Sequence, residues 1–215
     1  MIEMRKNLQF NAFNSNVSFD NPSFGLLTFF ASSHRDPFNS HILNQALSFD
    51  LVKLCSFSLD DKWHLLYRGS VHGFGASEFH ARCDGVPNTF SIMQPKDSPN
   101  IFGCFTALAW DSSCKWTQDS EAFIFSLVNG DAHPLTMKAM PDQYSFYSHL
   151  DYGPILGVGH DIFVCSNADE KRESFSNLGG IYKHPRYVEG SKEAKEFLAG
   201  SHYFQLSEIE VYHRE

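Results

Sequence analysis

The most ordered alternation of apolar and polar positions lies between Asn100 and Asn129, in the runs NIFGCFTALAW, DSSCKWTQDS and EAFIFSLVN. Two apolar runs flank a polar connector. In the first, Ile101, Phe105, Ala107 and Ala109 share one face of a pleat, and Phe102, Cys104, Leu108 and Trp110 share the other. In the second, Phe123, Phe125 and Leu127 oppose Ile124 and Val128. Strands that are apolar on both faces belong in the middle of a fold. Phe, Ile, Thr and Val favour strands over a buried helix. The connector holds Asp111, Ser112, Ser113, Asp119 and Ser120, all turn formers. The pattern therefore predicts a central antiparallel pair joined by a loop.

On either side, shorter signals fill in the chain. Residues 1–39 mix Asn, Ser and isolated Phe without a period, which predicts a poorly ordered tail that docks a few aromatics on the domain, with an edge strand around Phe24–Phe30 as the alternative. Ser40 is a candidate N-cap for a leading helix over residues 40–57, in which Leu43, Leu47, Leu51 and Leu54 recur at helical spacing. A strand is expected at Trp63–Tyr67. A short helix follows at Ala76–Asp84, with Gly85 as its stop. Further strands are expected at Asn88–Gln94, Pro134–Met140, Tyr144–Leu150 and Asp161–Cys165, and a brief pairing at Ile181–Lys183. Gly153–Gly159 reads as a link and Asn167–Gly180 as a polar loop. Gly190 or Ser191 caps a helix that ends before Gly200. In the last run, Phe204 and Leu206 alternate in one phase and Ile209 and Val211 in the other, which predicts a β-bulge. The sum is a β-rich α+β domain: a two-sheet antiparallel β-sandwich flanked by short helices.

Composition changes this picture little. The 215 residues suit one domain, and 21 of them are Phe, so the core should be aromatic. Net charge is −8 and no block of Lys or Arg exceeds two in a row, which disfavours a nucleic-acid partner. The N-terminus, MIEMRKNLQF, holds no apolar stretch of signal-peptide length, and no run is long enough for a transmembrane segment. Five widely spaced cysteines without a C-x-x-C fit a reducing compartment. The expected location is cytoplasmic.

The order of motifs is itself informative. WHLLYRGSVHGF, EFHARCDG, NTFSIMQ, NIFGCFTALAW, EAFIFSLVN, LGVGHDIFVCSNA, SNLGGIYKHP and FLAGSHYFQLSEIEVY follow one another. From about residue 41 to 213 this resembles the TLDc domain of the eukaryotic oxidation-resistance proteins. The resemblance implies a two-sheet sandwich and protection against oxidative stress without an established catalytic centre. It also implies binding to subunits of the vacuolar proton-pumping ATPase (V-ATPase), by a monomer that visits vacuolar or lysosomal membranes through that partner. The motif residues it carries onto this chain are Phe102, Gly103, Trp110, Gly157, Gly159, Asp161, Tyr182 and Gly200, together with Glu208 and Glu210. Cys104 departs from the commoner Gly or Ala, Val71–His72 from a charged pair, and Leu156 from Phe.

Candidate chemistry is sparse. His72, His80 and Cys83 supply three candidate zinc ligands of two types but no fourth ligand. His160 and Asp161 adjoin a glycine turn and could supply an oriented base, but sequence neighbours point apart on a strand, so no dyad between the two is expected. There is no G-x-S-x-G elbow and no third glycine after Gly73-Phe74-Gly75. No enzyme and no cofactor are expected. Cys114, beside Lys115, is the candidate redox thiol, because a cation favours the thiolate; it carries the alternative reading, a weak thiol-dependent antioxidant enzyme. Glu208 and Glu210 are two apart on the last strand, which predicts a solvated acidic stripe for a basic partner patch.

Overall fold

The computed structural model describes residues 36–215. Most of the expected tail and the alternative strand at Phe24–Phe30 lie outside the described residues. Elements run in the order α1 (Gln45–Leu54), β1 (Trp63–Arg68), α2 (Gly69–His72), α3 (Ala76–Cys83), β2 (Thr89–Pro95), β3 (Ile101–Thr106), β4 (Lys115–Thr117) and β5 (Phe123–Val128). Then come β6 (Leu135–Lys138), β7 (Phe146–Ser148), β8 (Ile155–Leu156), β9 (Ile162–Phe163), β10 (Ser174–Ser176), α4 (Lys192–Glu196), β11 (Tyr203–Phe204) and β12 (Leu206–Arg214). They form two six-stranded antiparallel sheets, ordered β1-β12-β2-β3-β5-β6 and β11-β10-β9-β8-β7-β4.

The predicted pair β3–β5 forms, and its two apolar faces serve two cores. Phe102, Cys104 and Ile124 face the second sheet and pack with Phe146, Leu156, Ile162 and Phe204. Ile101, Phe105, Phe123, Phe125 and Leu127 face the other way, under α1 and the segment before it. The first sheet is thus a middle layer, which is why its strands are apolar on both sides. Gly103 permits the sheet its close pairing: a Cβ there would sit 1.9 Å from the Ser91 carbonyl oxygen and 2.7 Å from the Phe125 ring.

Several expectations need correction. Val128 shares the Leu127 side because the β3–β5 register slips between Ile101 and Phe102. The connector is more than a loop: its residues Lys115–Thr117 pair with β7. Leu108 is exposed, since β3 ends at Thr106. The leading helix begins at Gln45, not after Ser40. Asn44 is its N-cap, its side chain accepting from the Leu47 amide. Ser40 does cap a turn, accepting from the Ile42 and Leu43 amides, but that turn stops there. The folded unit also reaches back before residue 40. Phe38 is buried, with its ring 5.1 Å from Tyr212 and 5.4 Å from Trp63. β8 and β10 lie where a link and a loop were expected.

Candidate functional site

β12 carries the two carboxylates singled out in the sequence, and a bulge sets their direction. The register slips between Leu206 and Glu208, where the phase change places it. Beyond the bulge Ile209 and Val211 face the inter-sheet core, so Glu208, Glu210 and Tyr212 face the opposite side. A second bulge, between Leu65 and Tyr67, turns Arg68 of β1 to that same side, directly across from Glu210.

That side is not solvent. Glu210 is fully buried and Glu208 is 6% exposed, so the expected solvated acidic stripe does not exist. Residues 38–43 lie over it. Glu210 accepts hydrogen bonds from Arg68 Nε (2.8 Å), the His41 amide (2.7 Å), Ser40 Oγ (2.6 Å) and the Tyr212 hydroxyl (2.9 Å). Arg68 also donates to the Asn39 carbonyl. Glu208 accepts from the Ser70 amide at 3.0 Å, and His41 Nδ1 stands 3.7 Å from it. A buried charge survives only when paired and hydrogen-bonded, and this one is both. The carboxylates pin the 39–41 segment and the start of α2 to β12. A strand's own alternation shows which residues share a face, not what covers that face. Arg68 escaped the sequence reading; the available signal was a lone arginine closing the apolar run WHLLY, with a Glu-x-Glu on another strand.

The second buried carboxylate site is Asp161. Its Oδ1 accepts from the Gly179 (2.9 Å) and Gly180 (3.2 Å) amides and its Oδ2 from the Ile181 amide (3.0 Å). Gly157 has φ +74°, and a Cβ there would fall 1.9 Å from Asp161 Oδ2. The glycine thus makes room for the carboxylate, and the carboxylate holds the 179–181 loop. Burial pushes the Asp161 carboxyl up to about 6, against the pull of the backbone donors. Tyr182, next on that loop, is buried, donates to the Ser145 carbonyl (2.9 Å), and bridges to Ala139 of the other sheet's edge. His160 is in the turn before β9, at φ +64°, not on a strand, and stacks at 6.2 Å on Trp116, while the Asp161 carboxylate is taken by the 179–181 amides.

The other motif residues are also built into the packing. Trp110 is buried; its Nε1 donates to Thr89 Oγ1 (2.9 Å), and its ring meets Phe146 at 4.8 Å and Phe79 at 5.6 Å. Phe102 meets Phe204 edge to face at 5.6 Å. Gly159 (φ +94°) opens a turn with free space about it, and Gly200 (φ +81°) stops the chain after α4, where a Cβ would meet Ser98 Oγ at 2.8 Å.

The possible ligand set disperses. His80 Nδ1 faces Asp84 Oδ1 at 2.7 Å and its Nε2 faces the His149 and Tyr152 carbonyls, so it cross-links α3 to the second sheet. His72 Nδ1 accepts from the Arg68 amide, and Cys83 is buried in the core. Among the described residues, no group of three or more His, Cys, Asp or Glu side chains is placed to hold a metal ion. Burial raises the Cys55 and Cys83 thiols strongly, and the Cys104 thiol to about 12, which keeps them protonated. Cys114 is the one exposed thiol of the five and sits at φ +57°. Among the described residues, no helix is long and apolar enough to cross a membrane.

Comparison with known proteins meets this geometry. No curated protein gives a significant match to the chain. The family model described as TLDc domain matches residues 37–215. The match starts one residue before Phe38, where the buried aromatics of the folded unit begin. Since the match covers most of the chain, the protein belongs to the TLDc domain family.

Proposed function

We propose that this TLDc domain is a non-catalytic protein-interaction module that protects against oxidative stress by binding and regulating the vacuolar proton-pumping ATPase. The observation that carries the reading is the family match over residues 37–215. Membership links the chain to oxidative-stress functions. The geometry is compatible with a binding role: the ionic residues of the family motifs are spent on holding the fold, which leaves outer surfaces for partners. In this reading the protein is a cytoplasmic monomer that reaches vacuolar or lysosomal membranes through the pump.

The experiment is affinity capture with the tagged protein from detergent-solubilised vacuolar or lysosomal membranes, with the eluate identified by mass spectrometry. Pump subunits should co-elute, and purified pump should compete them away. Their absence at saturating bait overturns the reading. Charge reversal at Glu208 and Glu210, which would have probed an acidic stripe, instead probes folding.

One observation favours a second reading, the thiol-dependent antioxidant enzyme: Cys114 is exposed, whereas Cys83, Cys104 and Cys165 are buried. Peroxide consumption by the purified protein that disappears in Cys114→Ser would support it. Equal alkylation of Cys114 and Cys83 at limiting reagent would count against it.

A further inference from the structure

The second sheet has two faces of unlike character. Phe146, Leu156, Ile162 and Phe204 point into the inter-sheet core. Their strand neighbours therefore point outward. The pairing register sets those neighbours directly opposite one another on all six strands: Trp116, Tyr147, Ile155, Phe163, Phe175 and Tyr203. At the usual spacing between strands the row is about 24 Å long. The rings touch. Trp116 meets Tyr147 at 4.7 Å, Phe163 stacks on Phe175 at 5.1 Å, and Phe175 meets Tyr203 at 5.9 Å. Tyr152 and His160 bridge the middle, 4.9 and 5.6 Å from Phe163. Tyr203 is 51% exposed at one end, and Tyr144, 53% exposed, flanks Trp116 at the other. Ile155, at the centre of the row, is buried at 1% exposure, so the open part of the row is its two ends; no helix or strand of the described residues covers those ends, in contrast to the first sheet, whose outer face lies under α1.

A face of Trp, Tyr, Phe and His without charged members has the composition of an interface core. Its charge setting chooses among occupants. Burial lowers His160 and His202, so these two imidazoles beside the row are neutral at pH 7. Exposed Asp151 and Glu173 stand one residue from Tyr152 and two from Phe175 along the chain, and the whole chain carries −8. Aromatic rings attract cations, guanidinium above all, and an acidic surround strengthens that attraction. A second copy would bring the same negative charge and the same uncharged face, which opposes self-association.

We propose that the outer face of the second sheet is the docking surface, and that its occupant is an arginine-bearing segment of a protein partner. This rests on the reading of the domain as an interaction module, and it names the surface and the chemistry of what lands there. The guanidinium groups lie against the Trp116–Tyr147 and Phe175–Tyr203 ends of the row, and Asp151 and Glu173 supply the counter-charge.

The test uses the intact protein and a short synthetic peptide with arginines at every third and fourth position among leucine and alanine. A second peptide replaces each arginine by citrulline, which keeps the shape and removes the charge. Binding is read from Trp fluorescence and from anisotropy of labelled peptide. The arginine peptide should bind about tenfold tighter or more, as a few cation–π contacts would give. Tyr203→Ser and Phe175→Ala, with unchanged circular dichroism, should each weaken it several-fold. Equal affinity for the two peptides, or indifference to both substitutions, overturns the proposal. So does a dimer in sedimentation equilibrium that Tyr203→Ser dissociates, which would make the occupant a second copy. If the pump is captured equally by wild type and by the Phe175→Ala, Tyr203→Ser double variant, this inference fails and the pump reading stands. If no pump is captured while the arginine peptide binds, the reverse holds.

Discussion

A carboxylate stripped of water must recover its hydration from protein donors, and Glu210 recovers it from Arg68, His41, Ser40 and Tyr212. Removing one partner of such a pair leaves the other buried and uncompensated. Glu210→Ala and Arg68→Ala should each destabilise by about 3–5 kcal/mol, and the double variant by clearly less than their sum. Urea denaturation of the four proteins measures this; additive losses would show that the pair is not coupled. Asp161 makes a different prediction. Its folded carboxyl is raised from 3.8 to about 6, so between those values the folded state holds a proton that the unfolded chain has lost. The stability that this proton contributes is full below pH 4 and is lost as pH rises through 6. Asp161→Asn cannot titrate. The stability gap between wild type and this variant should therefore widen by about 2 kcal/mol from pH 7.5 to pH 4.5. A gap that is constant or narrows would mean that the backbone amides of 179–181 outweigh burial. The residue scale is also where the sequence misled most. Glu208 and Glu210 were rightly placed on one face, yet polarity alone suggested water outside that face, and the covering segment 38–43 is more than 160 positions away along the chain.

At the scale of elements, legibility followed length. β3, β5 and α3 were readable because several consecutive side chains repeat the same phase. The β12 bulge was readable because apolar positions on both sides of it are buried in one core. β4, β8 and β10 were read as loops, since two or three residues cannot establish a period. Those short strands build the second sheet, so the aromatic row that crosses it was invisible before pairing. The false start of α1 has a physical reason as well: Ser40 does act as a cap, but its hydroxyl also donates to Glu210, which ties the turn at residues 40–43 to β12. Phe38 closes this layer, packed on Trp63, Phe90 and Tyr212. Phe38→Ala should cost about 3 kcal/mol or more and expose apolar surface on the first sheet. A fall in thermal midpoint together with dye binding would register it; an unchanged midpoint would mean that residues 36–43 are dispensable to the core.

At the scale of the whole molecule, two sheets and an outer helix enclose two cores, and the family's motif residues hold them together. Strands apolar on both faces announced a buried middle layer, which is why the sandwich was legible from composition and alternation alone. A partner was suggested only by the resemblance, because a docking face is made by register rather than by local pattern. The claim that joins fold to function is that the protein acts on the proton pump by binding and not by thiol chemistry. ATP-driven acidification of purified vacuolar vesicles tests it, with increasing amounts of wild-type protein or of Cys114→Ser added. The account predicts a saturable change in acidification rate that is the same for both proteins. No change with wild type, or a change that Cys114→Ser abolishes, would contradict it.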